Sequence, residues 1–126
     1  MKEFQGKSGI GAYGDFVLMV DHLVGSILQT VKDAGIDENT LIVFTSDNGC
    51  SPAADMKSMQ QQGHLPSYVY RGHKADLFDG GHRIPCLVRW PGNIIPHREN
   101  QTMCLTDFFA TFADLTQTTI RDSEGE

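Results

Sequence analysis

Asp47 and Asn48 stand side by side directly after the apolar run Thr40-Leu-Ile-Val-Phe-Thr-Ser46, with Gly49 behind them. A carboxylate and an amide oxygen on one tight turn are two hard oxygen donors, of the kind that Ca²⁺ or Mg²⁺ takes. The same residues also read as an Asn-Gly hairpin turn, which carries no chemistry. A hairpin needs a returning strand, however, and Cys50-Ser-Pro-Ala-Ala-Asp55 does not look like one. Further along, Arg71, His73 and Lys74 are interrupted only by Gly72. Ordinarily such a short charged cluster is a solvated face. His64 lies within reach of a ligand if its loop borders a site, but a loop histidine with no visible partner is usually just exposed.

The elements that must position these residues follow from apolar spacing. The run before Asp47 has no polar alternation, so it predicts a strand covered on both faces, as in a parallel sheet between helices, and the chain is read as part of a mixed or parallel sheet. In such sheets ligands bind beyond the carboxyl ends of the strands, where Asp47 sits. Upstream, Phe16, Val17, Val20, Leu23, Val24, Ile27, Leu28 and Val31 recur at steps of three and four. That stripe predicts a helix over 15–34, capped by Gly35, with His22, Gln29 and Asp33 on the solvated side. Residues 49–69 have no clear period and predict a long loop, either an active-site rim or a disordered surface segment. Ile84 to Trp90 predicts a second strand, with Pro85 at an edge or at its start. Gly80 and Gly81 before it let the backbone approach a neighbour closely. Thr106 is expected to cap a last helix whose Phe108, Phe109, Phe112 and Leu115 form core. After Thr118 the chain turns polar and acidic and is expected to fray.

Taken in order, the chain resembles the type I sulfatases, the arylsulfatase branch of the alkaline-phosphatase superfamily. The resemblance runs from about Tyr13 to Thr116. It is carried by Asp21-His-Leu-Val-Gly25, Asn39-Thr-Leu-Ile-Val-Phe-Thr-Ser-Asp-Asn-Gly49, Arg71-Gly-His-Lys74, Asp79-Gly-Gly-His-Arg-Ile-Pro85, Arg89-Trp-Pro-Gly92 and Thr106-Asp-Phe-Phe-Ala-Thr111. It implies an α/β fold, a sulfatase/alkaline-phosphatase-like sheet flanked by helices, present here as its C-terminal part. It implies Ca²⁺ at Asp47 and Asn48, with Mg²⁺ as the other candidate, and a sulfate contact at Lys74. His73 beside it either helps or points outward, and His64 is a further weak substrate contact. A sulfate-ester substrate follows, as does a periplasmic, secreted or lysosomal setting, although the sequence itself does not fix location. Where the family usually has Glu, this chain has Asp79, a carboxylate read as structural.

Family members are several times longer than 126 residues. Segment 13–118 therefore reads as the later portion of a catalytic domain, with 1–12 a lead-in and 119–126 a polar tail. The formylglycine nucleophile, the other metal carboxylates and the catalytic histidines are expected upstream, so the missing N-terminal part is the expected partner. Cys50-Ser51-Pro52 is a decoy for the maturation pattern Cys-x-Pro-Ser-Arg: Ala53 and Ala54 follow, lacking both Ser and Arg. With no basic neighbour, little would depress the Cys50 thiol pKa. Cys86 and Cys104 sit in apolar runs and are expected to pack as small hydrophobes.

A net charge of −6 lacks the basic stripe of a nucleic-acid binder. No stretch has the apolar length of a membrane span, and Met1-Lys-Glu-Phe-Gln5 lacks a signal-peptide core. Three cysteines cannot all pair, and their spacing fits no zinc pattern. Two other functions stay open. A phosphoesterase or phosphonate hydrolase would use similar architecture, though many of those carry Asp-His in place of Asp47-Asn48. A non-catalytic fragment or binding module is the alternative of a different class.

Overall fold

A computed structural model of the chain describes residues 2–121. It divides into two compact units, Met1–Ile95 and Pro96–Glu126.

In the first unit, helix α1 spans Ala12–Asp33. It starts three residues before the apolar stripe suggests, because the lead-in folds onto its first turn. The Asp15 carboxylate accepts from the Gly6 and Ser8 backbone N–H groups, at 2.6 and 2.9 Å. These charge-assisted bonds hold the Asp15 pKa below the ordinary carboxylate value. At the other end, Gly35 has φ +69°, and its N–H reaches Lys32 O while the Ile36 N–H reaches Val31 O. That paired closure is the glycine-terminated stop read from the sequence. On the polar side, Gln29 donates to Asp33 at 2.7 Å, and the His22 ring packs 5.5 Å from that of Phe4.

A turn at Asp37–Asn39 leads into strand β1, Ile42–Thr45. Its partner is strand β2, Cys86–Arg89, which starts directly after Pro85. The pairing is antiparallel, with Ile42 opposite Arg89 and Thr45 opposite Cys86. Of the mixed or parallel sheet expected, an antiparallel pair fits the mixed form: an unbroken apolar run reports how a strand is meant to be covered, and says nothing of its direction. Arg89 locks the start of β1 from across the ladder, with a two-bond grip on Asp37 at 2.6 and 2.8 Å. That grip holds the Asp37 carboxyl below its usual pKa. Trp90 Nε1 adds a bond to Glu38 O at 3.1 Å.

Residues 49–69 are better ordered than their lack of period suggests. A 3-10 turn at Pro52–Ala54 is followed by helix α2, Met56–Gln61. Ser51 caps the first and Asp55 the second, each accepting from a backbone N–H. Helix α3 is a single turn, Asp79–His82, just ahead of β2.

The second unit holds helix α4, Asp107–Leu115. Thr106 makes no side-chain cap; instead the Asp107 carboxylate accepts from the Cys104 N–H at 2.8 Å. Phe108 and Phe112 stack at 5.3 Å. The expected tail beyond Arg121 lies outside the described residues.

Burial departs most from expectation. Met59, at 1% exposure, is the buried hydrophobic of the described residues. Phe16, Val17, Leu23 and Ile27 on α1 are exposed, as are Leu87 and Val88 on β2. On α4, Phe109, Phe112 and Leu115 are exposed too, so they do not form the core expected of them. Cys86 and Cys104 are likewise exposed free thiols and not packed hydrophobes. No described helix is long and apolar enough to cross a membrane.

Candidate functional site

The chain leaving β1 turns sharply at Asp47. Ser46 Oγ donates to Asn48 O at 2.9 Å, and Asn48 Nδ2 donates to Gly49 O at 3.0 Å. Using the amide nitrogen inward leaves Asn48 Oδ1 as an acceptor without a donor among the described residues. The Asp47 side chain is exposed and has no hydrogen bond or ion pair among them either. Because β1 pairs with β2 and not with the segment after Gly49, the hairpin alternative falls.

Glycines let three backbones meet here. The Gly49 N–H donates to Gly81 O at 2.8 Å, and a Cβ on Gly49 would strike the carbonyl of Gly80. The Gly80 N–H donates to Arg71 O at 2.8 Å, and a Cβ there would strike the carbonyl of Gly72. The turn after β1, the 71–76 loop and α3 are thus in direct backbone contact, at a spacing that any larger residue would break.

Lys74 reaches this junction through its own backbone, since its N–H donates to Cys50 O at 2.9 Å. The structure therefore brings together Asp47, Asn48, His73 and Lys74, which lie far apart in the chain. Within the basic cluster the roles separate. Arg71 stacks on the Phe78 ring at 3.7 Å, and Arg83 on that of Tyr70 at 4.5 Å, so these guanidiniums brace the loop. The His73 ring is tied down, with Nδ1 at 2.9 Å from Lys74 O and 3.4 Å from Asp76 Oδ2. The Lys74 ammonium is exposed and has no partner among the described residues. Asp79 pairs with Arg83 at 3.5 Å, in keeping with a structural carboxylate.

His64 lies elsewhere. Its N–H closes the C-terminus of α2 on Met59 O at 2.9 Å, behind Gly63 at φ +81°. It lines a cleft with Lys7, Tyr13 and Val17 and makes no described contact with Asp47 or Lys74. Sequence reading missed Tyr13, whose hydroxyl is pushed above its ordinary pKa by burial and by the Cys50 thiol beside it. It also missed Asp76. Only proximity to Lys74 in the chain pointed to Asp76, and nothing pointed to Tyr13.

Among the described residues no three His, Cys, Asp or Glu side chains converge to hold a metal. The donors present are the Asp47 carboxylate and the Asn48 amide oxygen, both left free by the local bonding. That is a hard-oxygen pair suited to a divalent cation as part of a larger ligand set.

Comparisons with known proteins give the family. The family model described as Sulfatase matches residues 1–118. An N-acetylgalactosamine-6-O-sulfatase from Bacteroides thetaiotaomicron is 38% identical over 117 residues, covering 89% of this chain and 22% of its own length. A steryl-sulfatase from Rattus norvegicus is 41% identical over 114 residues, covering 90% and 20%. Arylsulfatase A from Homo sapiens is 32% identical, covering 90% and 21%. A solved structure from a Bacteroides thetaiotaomicron locus for the metabolism of multiple glycosaminoglycans matches with a TM-score of 0.91 at 34% identity. It covers 98% of this chain and 26% of that one. The chain thus spans about a fifth of the length of the curated relatives it matches. With the family model matched along nearly its whole length, and its turn, lysine loop and double glycine in one junction, the chain belongs to the sulfatase family.

Proposed function

We propose that this chain carries one side of the active centre of a divalent-metal-dependent sulfuric ester hydrolase. The observation that supports this is the bond from the Lys74 N–H to Cys50 O, which brings the Lys74 backbone to the turn that carries a pair of free oxygen donors. In this reading Asp47 and Asn48 help hold Ca²⁺, or Mg²⁺ in its place. When bound, the cation orients a sulfate oxygen and the nucleophile. Lys74 does the rest of what this chain contributes. Its ammonium holds a non-bridging sulfate oxygen and offsets the charge that develops on the leaving group. The nucleophile, the remaining metal carboxylates and the acid for the leaving alcohol come from the rest of a longer catalytic domain.

The sulfate class is favoured over phosphate by Asn48. A neutral amide adds an oxygen without a charge, which suits a single cation and a monoanionic ester. The relatives' names span an amino sugar, sterols and aryl alcohols, so the alcohol is selected by parts beyond this chain. The test is a comparison of an aryl sulfate with the matching aryl phosphate on the complete enzyme. Faster turnover of the sulfate is expected, and a preference for the phosphate would overturn the assignment.

The cation half has its own expected result. With two protein donors, the isolated chain binds Ca²⁺ more weakly than the ~10⁻⁷–10⁻⁵ M of tuned sensor sites. Calorimetry that found micromolar binding, abolished by Asp47→Ala, would mean a complete site within these residues.

A further inference from the structure

We infer that Asp76 is the positioning residue that aims Lys74 at the sulfate, an inference that rests on the role proposed for Lys74 above. Lys74 makes no side-chain contact among the described residues, so its direction is set by its backbone alone. That backbone is the centre of a four-residue turn, closed by the Asp76 N–H on His73 O at 2.9 Å. Ala75 occupies the third position with φ +75°, a conformation that a Cβ disfavours and that glycine normally supplies. A turn held in that state needs support from its surroundings.

Asp76 supplies it. Its Oδ2 accepts from the His73 N–H at 3.0 Å and lies 3.4 Å from His73 Nδ1. The turn is thereby closed twice, once through each end of the same residue. The neighbours leave no slack: a Cβ on Gly72 would sit 3.1 Å from Asp76 Oδ2, and one on Gly81 would sit 2.7 Å from His73 O. Removing the carboxylate frees the His73 N–H and lets Ala75 relax out of its left-handed state. The remaining bonds, from the Asp76 N–H to His73 O, from the Lys74 N–H to Cys50 O and between the His73 ring and Lys74 O, then hold the turn less firmly, and Lys74 swings.

The experiment is a double-mutant cycle in the complete enzyme, with an aryl sulfate as substrate. Asp76→Ala is expected to lower kcat by roughly 10–100-fold with little change in KM, the scale of misplacing a catalytic contact by about an ångström. Asp76→Asn keeps an oxygen for the His73 N–H and is expected to retain most activity. In a Lys74→Ala background, Asp76→Ala is expected to cost less than about twofold, because there is no ammonium left to aim. If Asp76→Ala does not fold, Asp76→Gln takes its place, since its oxygen stands one methylene too far out. Equal losses in both backgrounds, or unchanged kcat in the single variant, would overturn the inference and leave the Lys74 reading intact. A negligible effect of Lys74→Ala itself would overturn both.

Discussion

Lys74→Ala in the complete enzyme is expected to lower kcat/KM by roughly 10²–10³-fold, the scale for losing one preorganised electrostatic contact. The reason lies in how the residue is held. The other cations of the cluster are engaged, Arg71 on Phe78 and Arg83 on Tyr70, and the His73 ring is bonded to Lys74 O. Within the cluster, and among the described residues, Lys74 alone presents a side chain with no partner, on a loop that meets the turn after β1. His73→Ala is expected to have a much smaller effect: it loses the ring's bond to Lys74 O but keeps the backbone N–H through which Asp76 closes the turn. Steady-state kinetics on the two variants decide the point. Small and equal losses would reduce the cluster to a solvated face and remove Lys74 from the site.

The site was more legible in the sequence than the packing around it. Asp47 and Asn48 stand out as candidates by a local pattern, a strand end followed by a turn, and Lys74 only through the family resemblance of its charged loop. Gly80 and Gly81 signalled a close approach, and the structure shows what approaches, namely the carbonyls of Gly72 and Asp76. What could not be read is which backbones meet. The bond between Lys74 and Cys50 joins loops on either side of α2, and no periodicity encodes it. Residues 49–69 read as a loop for a related reason. Ser51-Pro52 and Asp55 are helix-start signals, but the helices they begin are too short to show a 3.6-residue rhythm.

The apolar pattern shows a different limit. The stripe on α1 and the run in β1 were identified, and both elements form where expected. A pattern states that a face is to be covered and is silent on what covers it. Phe16, Leu23 and Ile27 remain exposed on α1 because nothing within the described residues packs over them. The same holds for Leu87 and Val88. Exposed apolar faces of this extent are uncommon on self-contained monomers. They are what the proposal of a longer catalytic domain expects of the elements it would bury.

That absence of a self-contained core leads to the last expectation: the isolated chain does not turn over sulfate esters. Hydrolysis by this route needs an activated nucleophile, an acid for the leaving group and a metal held by several carboxylates. In the proposed reading the chain offers two oxygen donors and one anion contact. Cys50 is the only residue whose sequence context invites the role of nucleophile, and the local structure accounts for that context otherwise. Ser51 is there to cap the following turn, accepting from the Ala53 N–H at 3.3 Å, and Pro52 opens that turn with its fixed φ. The Cys50 Sγ donates to Ser51 O at 3.7 Å and lies beside the Tyr13 hydroxyl. Without Ser and Arg after Pro52, the pattern that accompanies conversion to formylglycine is missing as well. An assay of the purified chain with an aryl sulfate and Ca²⁺, alongside Cys50→Ala, measures this directly. Both proteins are expected to be inactive. Metal-dependent turnover lost in Cys50→Ala would make Cys50 a nucleophile after all and would place a whole active centre within these residues.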